Sequence, residues 1–214
     1  FLSVSVNSKG AELWDIHTLG GDSVSCLWDG NPEFWPRRAP VCFPWCGRVE
    51  EGWVQEEGVR YEAGPHGFVR DLEHTLAERG EHWLCFRLDW PGDSRRWPWA
   101  FTFETLHRLE GNRLTTTCTA VNHSTRPMPA QLGFHPGFRC PLDPARGLED
   151  YAVRFQRPEA PDGTDLLPLT PGLFDQDSIC FQDLRSAWVR LEERGTGRYL
   201  QIDLEGAPYL LLWS

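Results

Sequence analysis

The sequence has few of the residues that mark several common classes of protein. It contains one Met, and of its 21 basic residues only Lys9 is a lysine; the arginines never occur in a run longer than two. With a formal net charge of −10 and no basic stripe, the chain is not expected to bind nucleic acid. The longest apolar run, 210–213, is far below the roughly 20 residues that span a bilayer. An integral membrane protein is therefore not expected either.

The cysteines also exclude more than they indicate. There are seven, an odd number, and none belongs to a Cys-x-x-Cys pair. This pattern favours free thiols in a reducing compartment and hence a cytoplasmic protein. Cys42 and Cys46 are close enough to suggest half of a metal site, but no second pair of Cys or His residues stands at ligand spacing, so we predict no metal. The chain begins at Phe1 in a segment typical of a strand, so we expect that residues precede it, and a removed signal peptide stays possible.

Residues that interrupt helices are abundant. The 20 glycines and 17 prolines leave no window with a sustained 3.6-residue apolar period. Apolar residues instead alternate in at least seven short segments, which predicts strands. Turn residues predict one hairpin at Gly111 and another at Gly195 to Gly197. We predict an all-β chain of antiparallel strands, forming a single domain over residues 1–214, with 157–171 as a long surface loop.

Two segments break the alternation, and both contain residues that binding and catalysis use. They are residues 31–71 and 126–138. Binding residues often gather on loops that a rigid β-sandwich holds, so local exceptions of this kind point to a functional site. The first segment contains RRAPVCFPWCGRV at 37–49 and HGFVRD at 66–71, and the second contains MPAQLGFHPGF at 128–138.

In their order and spacing these motifs are similar to those of the aldose 1-epimerase, or mutarotase, family, and within it to the shorter bacterial LacX-like branch. Residues 175–181 and 208–214 also fall where that family has comparable segments. The resemblance covers nearly the whole chain. It implies a β-supersandwich fold of the galactose mutarotase type. It also implies an enzyme that interconverts the α and β anomers of a free aldose sugar without a cofactor. The oligomeric state is not readable from the sequence.

The matching motifs also imply roles for individual residues. His135 would be the acid at the sugar ring oxygen, and His66 would hydrogen-bond the same oxygen or a neighbouring hydroxyl. Histidine suits a group that acts first as an acid and later as a base, because both of its protonation states are accessible near neutral pH. Arg48 would orient ring hydroxyls through its fork of donors, and Asp177 would accept a hydrogen bond from one. Arg48 could instead be a structural ion-pair partner, and Asp177 could only cap a turn.

Other residues of these motifs are candidate walls of a sugar site. Trp45 is the best candidate for stacking on a pyranose, with Phe68 and Phe134 as supporting walls beside the histidines. Most aromatic residues of a β protein fill its core, however, and that reading stays open for each of them. Arg70 is a further candidate ligand of the sugar, although it could equally form a salt bridge with Asp71 inside its own loop.

The resemblance leaves the catalytic base unplaced. The family has a glutamate downstream of the segment that 212–214 matches, and neither Glu12 nor Glu205 occupies an equivalent position. We therefore expect the natural protein to continue beyond Ser214, as well as to be slightly longer at its start.

Two other functions also stay open. One is a non-catalytic sugar-binding or sensing module that keeps the pocket without the chemistry. The other is a hexose-6-phosphate 1-epimerase, in which Arg37, Arg38 and Arg70 would hold the phosphate through charge-assisted contacts. The acidic chain would repel a free sugar phosphate at long range, so a neutral aldose is favoured.

Overall fold

The structure is a computed structural model that describes residues 1–21, 23–93, 95–204 and 206–214. Within these ranges the strands pair antiparallel, and three 3-10 turns are the only helical structure. No helix among the described residues is long and apolar enough to cross a membrane. The prediction of an all-β, antiparallel chain is confirmed. By its internal contacts the chain divides into two compact units, Phe1–Arg139 and Cys140–Ser214. The single domain over residues 1–214 stays a prediction.

The first unit is built on a four-stranded meander in the order β6-β7-β8-β9, and its other strands form pairs: β1 with β2, β3 with β10, and β4 with β5. Single 3-10 turns lie at Glu50–Gly52 and Val69–Asp71. The strands in the described part of this unit are β1 (Leu2–Asn7), β2 (Glu12–Thr18), β3 (Val41–Cys42), β4 (Trp53–Glu56), β5 (Val59–Glu62), β6 (Thr75–Gly80), β7 (Trp83–Trp90), β8 (Phe101–Glu110), β9 (Arg113–Asn122) and β10 (Gly133–Phe134).

The central hairpin of the meander supplies much of the core. The turn predicted at Gly111, which has a φ of +65°, joins β8 to β9, and the hairpin is confirmed. Alternate residues of β8, beginning with Phe101 and Phe103, are almost fully buried, as the period of two along a strand requires. Aromatic side chains dominate the cluster that they join, whose buried members are Val41, Phe43, Trp45, Ala63, Phe68, Val69, Leu88, Trp97, Trp99, Phe101 and Phe103.

The second unit contains a four-stranded sheet in the order β12-β11-β14-β15 and the pair β13-β16. Its strands within the described residues are β11 (Tyr151–Phe155), β12 (Leu166–Pro168), β13 (Ile179–Gln182), β14 (Trp188–Glu193), β15 (Tyr199–Asp203) and β16 (Tyr209–Leu212). A 3-10 turn at Leu148–Asp150 precedes β11. The hairpin predicted at Gly195 to Gly197 joins β14 to β15 and is confirmed.

One prediction about the second unit is wrong in part. Residues 157–171 are not a continuous surface loop, because β12 lies within them and pairs with β11. Leu167 and Leu169 are buried, whereas the Pro and acidic residues around them are mostly exposed. The composition of the segment concealed a short strand, and the leucines that are buried are one within it and one directly after it.

A glycine fixes the approach of one loop of the first unit to its core. Gly67 has a φ of +72°, and a Cβ at this position would lie 2.0 Å from the carbonyl oxygen of Phe43. This close approach lets the N–H of Phe68 donate to the Phe43 oxygen at 3.0 Å. Only glycine meets both conditions, a left-handed backbone and no side chain against a neighbouring carbonyl.

We expect Gly67→Ala to lower the free energy of unfolding by at least about 4 kcal/mol or to prevent folding, because the added methyl group would overlap backbone rather than a movable side chain. Gly58→Ala is a matched control, since Gly58 has a φ of +80° but no atom within 4 Å of an added Cβ. The control should cost only the left-handed strain, about 1–2 kcal/mol. Urea denaturation followed by tryptophan fluorescence measures both. Equal losses in the two variants would show that the approach to Phe43 is not a constraint.

Candidate functional site

The segment of residues 38–47, which contains β3, is hydrogen-bonded to the segment that carries His135. The N–H of His135 donates to the carbonyl of Pro40 at 3.0 Å, and the N–H of Gly137 donates to the carbonyl of Arg38 at 2.7 Å. Between these bonds and the end of the segment, β3 pairs with β10. The backbone around His135 is therefore set by a ladder and not by a free loop.

The same segment is hydrogen-bonded to the loop that carries His66. The N–H of His66 donates to the carbonyl of Gly47 at 2.8 Å, and the Trp45 indole N–H donates to the carbonyl of Gly64 at 2.6 Å. One stretch of backbone thus brings together two motifs that are far apart in sequence. The imidazole rings of His66 and His135 lie edge to face, with their centroids 4.8 Å apart. The indole of Trp35 packs against His135, with centroids 5.1 Å apart.

The contacts of His66 fix its neutral tautomer. Its Nδ1 lies 3.1 Å from the backbone N–H of Gly47, which can only donate, so Nδ1 is the acceptor. The Cys42 Sγ lies 3.5 Å from the same nitrogen. The proton of the neutral ring is therefore on Nε2, which makes His66 a hydrogen-bond donor through Nε2. His66 itself has a φ of +65°, an uncommon conformation for a residue with a side chain and one that often marks a functional position.

Burial and positive neighbours lower the pKa of both imidazoles. Burial lowers the pKa of His66 to about 4, and the charges of His135, Arg70 and Arg37 act in the same direction. Burial also lowers the pKa of His135, with a further contribution from Arg70, whereas the carboxylate of Glu12 opposes the change. The neutral His66 ring can then donate only one hydrogen bond near pH 7.

Two arginines adjoin the histidine pair. The guanidinium of Arg70 donates to the carbonyl of Pro65 at 2.7 Å, directly before His66. Asp71 forms its ion pair with Arg37, not with Arg70 as the salt-bridge interpretation held. Arg37 also donates to the backbone carbonyl of Arg70 at 3.4 Å. Burial and the charge of Arg37 lower the pKa of the Arg70 guanidinium, which is consistent with its close packing in the site.

Arg48 follows Gly47, the residue that holds His66 from both of its backbone groups. Its side chain is exposed, and it forms no ion pair with the described residues. An open groove of about 780 Å³ is lined by Arg48, Glu62, Gly64 and Pro65, among others. Because Gly64 and Pro65 directly precede His66, Arg48 lines a groove beside the loop that carries His66.

The structure separates the three aromatic candidates. Trp45 and Phe68 are 6% and 1% exposed, and both belong to the aromatic core, where Trp45 packs against Trp97 with centroids 5.5 Å apart. Their ring faces are occupied by protein, so the structure does not support direct stacking on a sugar for either of them. Phe134 is 53% exposed and lies on β10, next to His135 in sequence. Of the three aromatic candidates, Phe134 alone has an exposed side chain that could contact a sugar.

The acidic residues considered from the sequence have different surroundings. Asp177 belongs to the second unit, in an exposed turn with a φ of +87°, where its Oδ1 accepts the N–H of Ser178 at 2.7 Å. Its role toward a sugar stays a prediction. Glu205 is outside the described residues. Glu12 is buried and accepts two backbone N–H groups, from Arg38 and Ala39.

Sequence reasoning did not single out Trp35, Glu12 or Cys42 for the site. Trp35 stands two residues before the start of the RRAP motif, and Glu12 follows a Gly-Ala turn at the start of β2. The sequence around each of these two residues does not indicate its role, because the role depends on residues far away in the chain. Trp35 contacts His135, and Glu12 contacts the backbone of Arg38 and Ala39. The only hint at Glu12 is that an acidic residue stands among the residues of a strand, where a buried carboxylate is rare unless it has a partner.

Comparison with known proteins identifies the family to which this arrangement belongs. The sequence model described as aldose 1-epimerase matches residues 1–171, a range that includes both histidines. The chain belongs to the aldose 1-epimerase family. The chromosomally encoded protein LacX of Lactococcus lactis subsp. lactis is 31% identical to it, over 100% of this chain and 80% of LacX. The resemblance to the family and its LacX-like branch is confirmed.

Solved structures of related aldose 1-epimerase-like proteins share the fold. A galactose mutarotase related enzyme from Lactobacillus acidophilus is 26% identical, with a TM-score of 0.90 over 100% of this chain and 77% of that one. A galactose mutarotase-like protein from Lactobacillus casei is 24% identical, with a TM-score of 0.86 over 100% of this chain and 80% of that one. The β-supersandwich expected for this aldose 1-epimerase family member is confirmed.

We expect NMR titration to find His66 protonated only as the pH falls through about 4. Because this value lies below the ordinary pKa of about 6.5, the ring should stay neutral from pH 8 down to about 5. Over that range, long-range ¹H–¹⁵N correlations should show the proton on Nε2. A His66 pKa near 6.5, or a proton on Nδ1, would contradict the contacts described above.

Substitution of the nearby cation tests the electrostatic cause. Arg70→Met removes a positive charge that lowers the pKa of both His66 and His135, so both values should rise. Arg79→Met, on the exposed strand β6, is the matched control and should shift neither. If the two variants titrated alike, Arg70 would not act on the histidines.

Proposed function

We propose that this protein interconverts the α and β anomers of a free hexose by acid/base-catalysed opening of the pyranose ring. The observation that carries the proposal is the pair of imidazoles, His66 and His135, held edge to face at 4.8 Å with His66 in the Nε2–H tautomer. A pair of this kind can serve one oxygen atom from two directions. Family membership supports a sugar as the substrate.

The reaction consists of two proton transfers and one bond cleavage. A base takes the proton of the C1 hydroxyl while an acid protonates the ring oxygen, and the bond between C1 and that oxygen breaks to give the open-chain aldehyde. After rotation about C1–C2 the steps reverse and the other anomer forms. His135 is the acid in its protonated form: the imidazolium gives a proton to the ring oxygen and becomes the neutral ring. The Nε2–H of neutral His66 hydrogen-bonds the ring oxygen or a neighbouring hydroxyl. The base at C1 is not assigned to a described residue.

Arg48 is the proposed ligand of the ring hydroxyls. An exposed arginine that lacks an ion-pair partner among the described residues keeps all five of its N–H donors available, in a planar fork that can hold two oxygens at once. Arg70, beside both histidines, and Phe134, with its exposed ring, complete the proposed set. Asp177 stays a proposed hydroxyl acceptor on sequence grounds alone.

The phosphorylated substrate is less well supported than the free sugar. Arg38 donates to the carbonyl of Trp14 at 2.6 Å, and its guanidinium lies over the Trp14 ring at 4.3 Å. Arg37 is engaged by Asp71. Two members of the three-arginine clamp are therefore occupied by protein groups, which favours a neutral aldose. A sugar-binding module without catalysis is the other candidate, and turnover separates it from the epimerase.

We expect His135→Ala to lower kcat by at least about 10²-fold, the scale for loss of a positioned general acid, and to leave the fold intact. Polarimetry on freshly dissolved α-galactose and α-glucose measures the rate, and circular dichroism checks the fold. His82→Ala, at an exposed position between β6 and β7, is the matched control and should keep wild-type turnover. Near-normal turnover by His135→Ala on each sugar that the wild type accepts would remove His135 from the mechanism. Sugar binding by a wild type that converts none of them would favour the binding module.

Arg48→Lys should weaken sugar binding about tenfold without loss of stability, since lysine keeps the charge but loses the planar fork. Isothermal titration calorimetry with galactose or glucose gives the Kd. Arg60→Lys, an exchange of the same chemistry at another exposed arginine of this unit, is the control and should bind as the wild type does. An unchanged Kd for Arg48→Lys would show that Arg48 does not contact the sugar.

A further inference from the structure

Glu12 has a buried carboxylate near the proposed site, and this carboxylate has no role in the proposed reaction. It begins β2 and is 4% exposed. Burial of a charged group costs free energy unless hydrogen bonds compensate for the lost water. A carboxylate kept at such a position therefore holds something specific in place.

The Glu12 carboxylate holds the backbone of the RRAP motif. Its Oε1 accepts the N–H of Arg38 at 2.7 Å and the N–H of Ala39 at 2.9 Å, across 26 and 27 residues of sequence. The side chain thus fixes both position and direction of two successive peptide groups.

One of those peptide groups, the one between Arg38 and Ala39, and the group that follows Pro40 carry the His135 segment. The carbonyl of Arg38 accepts the N–H of Gly137 at 2.7 Å, and the carbonyl of Pro40 accepts the N–H of His135 at 3.0 Å. The N–H groups of residues 38 and 39 are therefore hydrogen-bonded to Glu12, while the carbonyl groups of residues 38 and 40 are hydrogen-bonded to the segment around His135. A shift of the one set of bonds moves the other.

The same motif is joined to a second neighbour of the His135 ring. Trp35, three residues before Arg38, packs on the imidazole with centroids 5.1 Å apart. A Cβ on Gly137 would lie 2.9 Å from the Trp35 ring, so this ring is confined between Gly137 and His135. Segment 35–40 therefore supports the imidazole through its backbone at one end and through an aromatic face at the other.

From these contacts we infer that Glu12 is a positioning residue for His135: its buried carboxylate, by holding the N–H groups of Arg38 and Ala39, sets where the imidazole stands. The catalytic part of the inference rests on the proposed function, but the placement of the ring does not. The carboxylate acts through its reach, because its acceptor oxygen must meet two fixed donors. Its charge is secondary.

Two substitutions separate reach from charge. Glu12→Gln loses the charge but keeps an oxygen at the same distance that can accept both N–H bonds. Glu12→Asp keeps the charge but withdraws the oxygen by about 1.5 Å, the length of one carbon–carbon bond. We expect Glu12→Gln to keep kcat within about threefold of wild type, whereas Glu12→Asp should lose about 10²-fold, as misplacement of a catalytic group by about 1 Å can do.

The ring signals of His135 in ¹H–¹⁵N spectra give a readout that does not depend on activity. They should move strongly in Glu12→Asp and little in Glu12→Gln at pH 8, where the imidazole is neutral. The His135 pKa should fall in Glu12→Gln, because Glu12 opposes the lowering by burial and by Arg70. Phe86→Leu, a buried residue of β7 that pairs with Leu76 and Thr105, controls for general loss of stability and should leave the His135 signals in place.

The outcomes are distinct. Loss of activity in Glu12→Gln with retention in Glu12→Asp would show that charge, not reach, is what matters, and would overturn the inference. Unmoved His135 signals in Glu12→Asp would also overturn it, as would equal movement in Phe86→Leu. A wild type that epimerises no sugar would defeat the proposed function alone, since the spectra would still decide whether Glu12 places the ring.

Discussion

The backbone of residues 38–47 shares its hydrogen bonds between two distant segments, and the geometry of the candidate site depends on that division. Carbonyls of Arg38 and Pro40 are bonded to the segment around His135, and those of Phe43 and Gly47 to the segment around His66. Buried backbone groups that lose such partners cost free energy comparable to that of a broken hydrogen bond. Neither histidine segment can therefore move without a cost in the central one. The distance between the imidazoles is a property of backbone pairing more than of side-chain packing.

The chemistry that these rings can perform follows from where the pairing puts them. An acidic chain with a net charge of −10 has, at this place, two arginines close enough to depress the pKa of an imidazole. Asp71 pairs with Arg37, so the cationic character next to His66 and His135 comes mainly from Arg70. Two neutral rings in contact avoid the repulsion that a doubly protonated pair would suffer. The neutral His66 ring is then a directed hydrogen-bond donor through Nε2.

Much of the fold could be predicted from the sequence because its signals are local. Gly111 and the pair Gly195 and Gly197 identify two hairpins, since a left-handed turn residue constrains only its neighbours. The order of the motifs around His66 and His135 identifies the family and the two residues at the centre of the site. The strand at Leu166–Pro168 was missed because proline and acidic residues surround its leucines, and burial against β11 overrides that composition.

The surroundings of the histidines could not be predicted in the same way, because they are decided by tertiary contacts. Nothing in the local sequence distinguishes Trp45 and Phe68, which are in the core, from Phe134, which is exposed. The partner of Asp71 is Arg37, 34 residues away, although Arg70 is its neighbour in sequence. Glu12 carries no motif at all, and its role is visible only when its two acceptor bonds are seen.

Alternation along the central segment explains how one stretch of chain serves both core and site. Val41, Phe43 and Trp45 enter the aromatic cluster, as every second residue of an extended segment can. Cys42, which lies between the first two, is turned away from that cluster and brings its Sγ to 3.5 Å from His66 Nδ1. A shift of register by one residue would exchange these environments, placing a thiol in the aromatic core and bulky rings against the imidazole. The register that buries the aromatic residues therefore also places the small Cys42 side chain next to His66. The same register sets both the stability of the core and the geometry of the site.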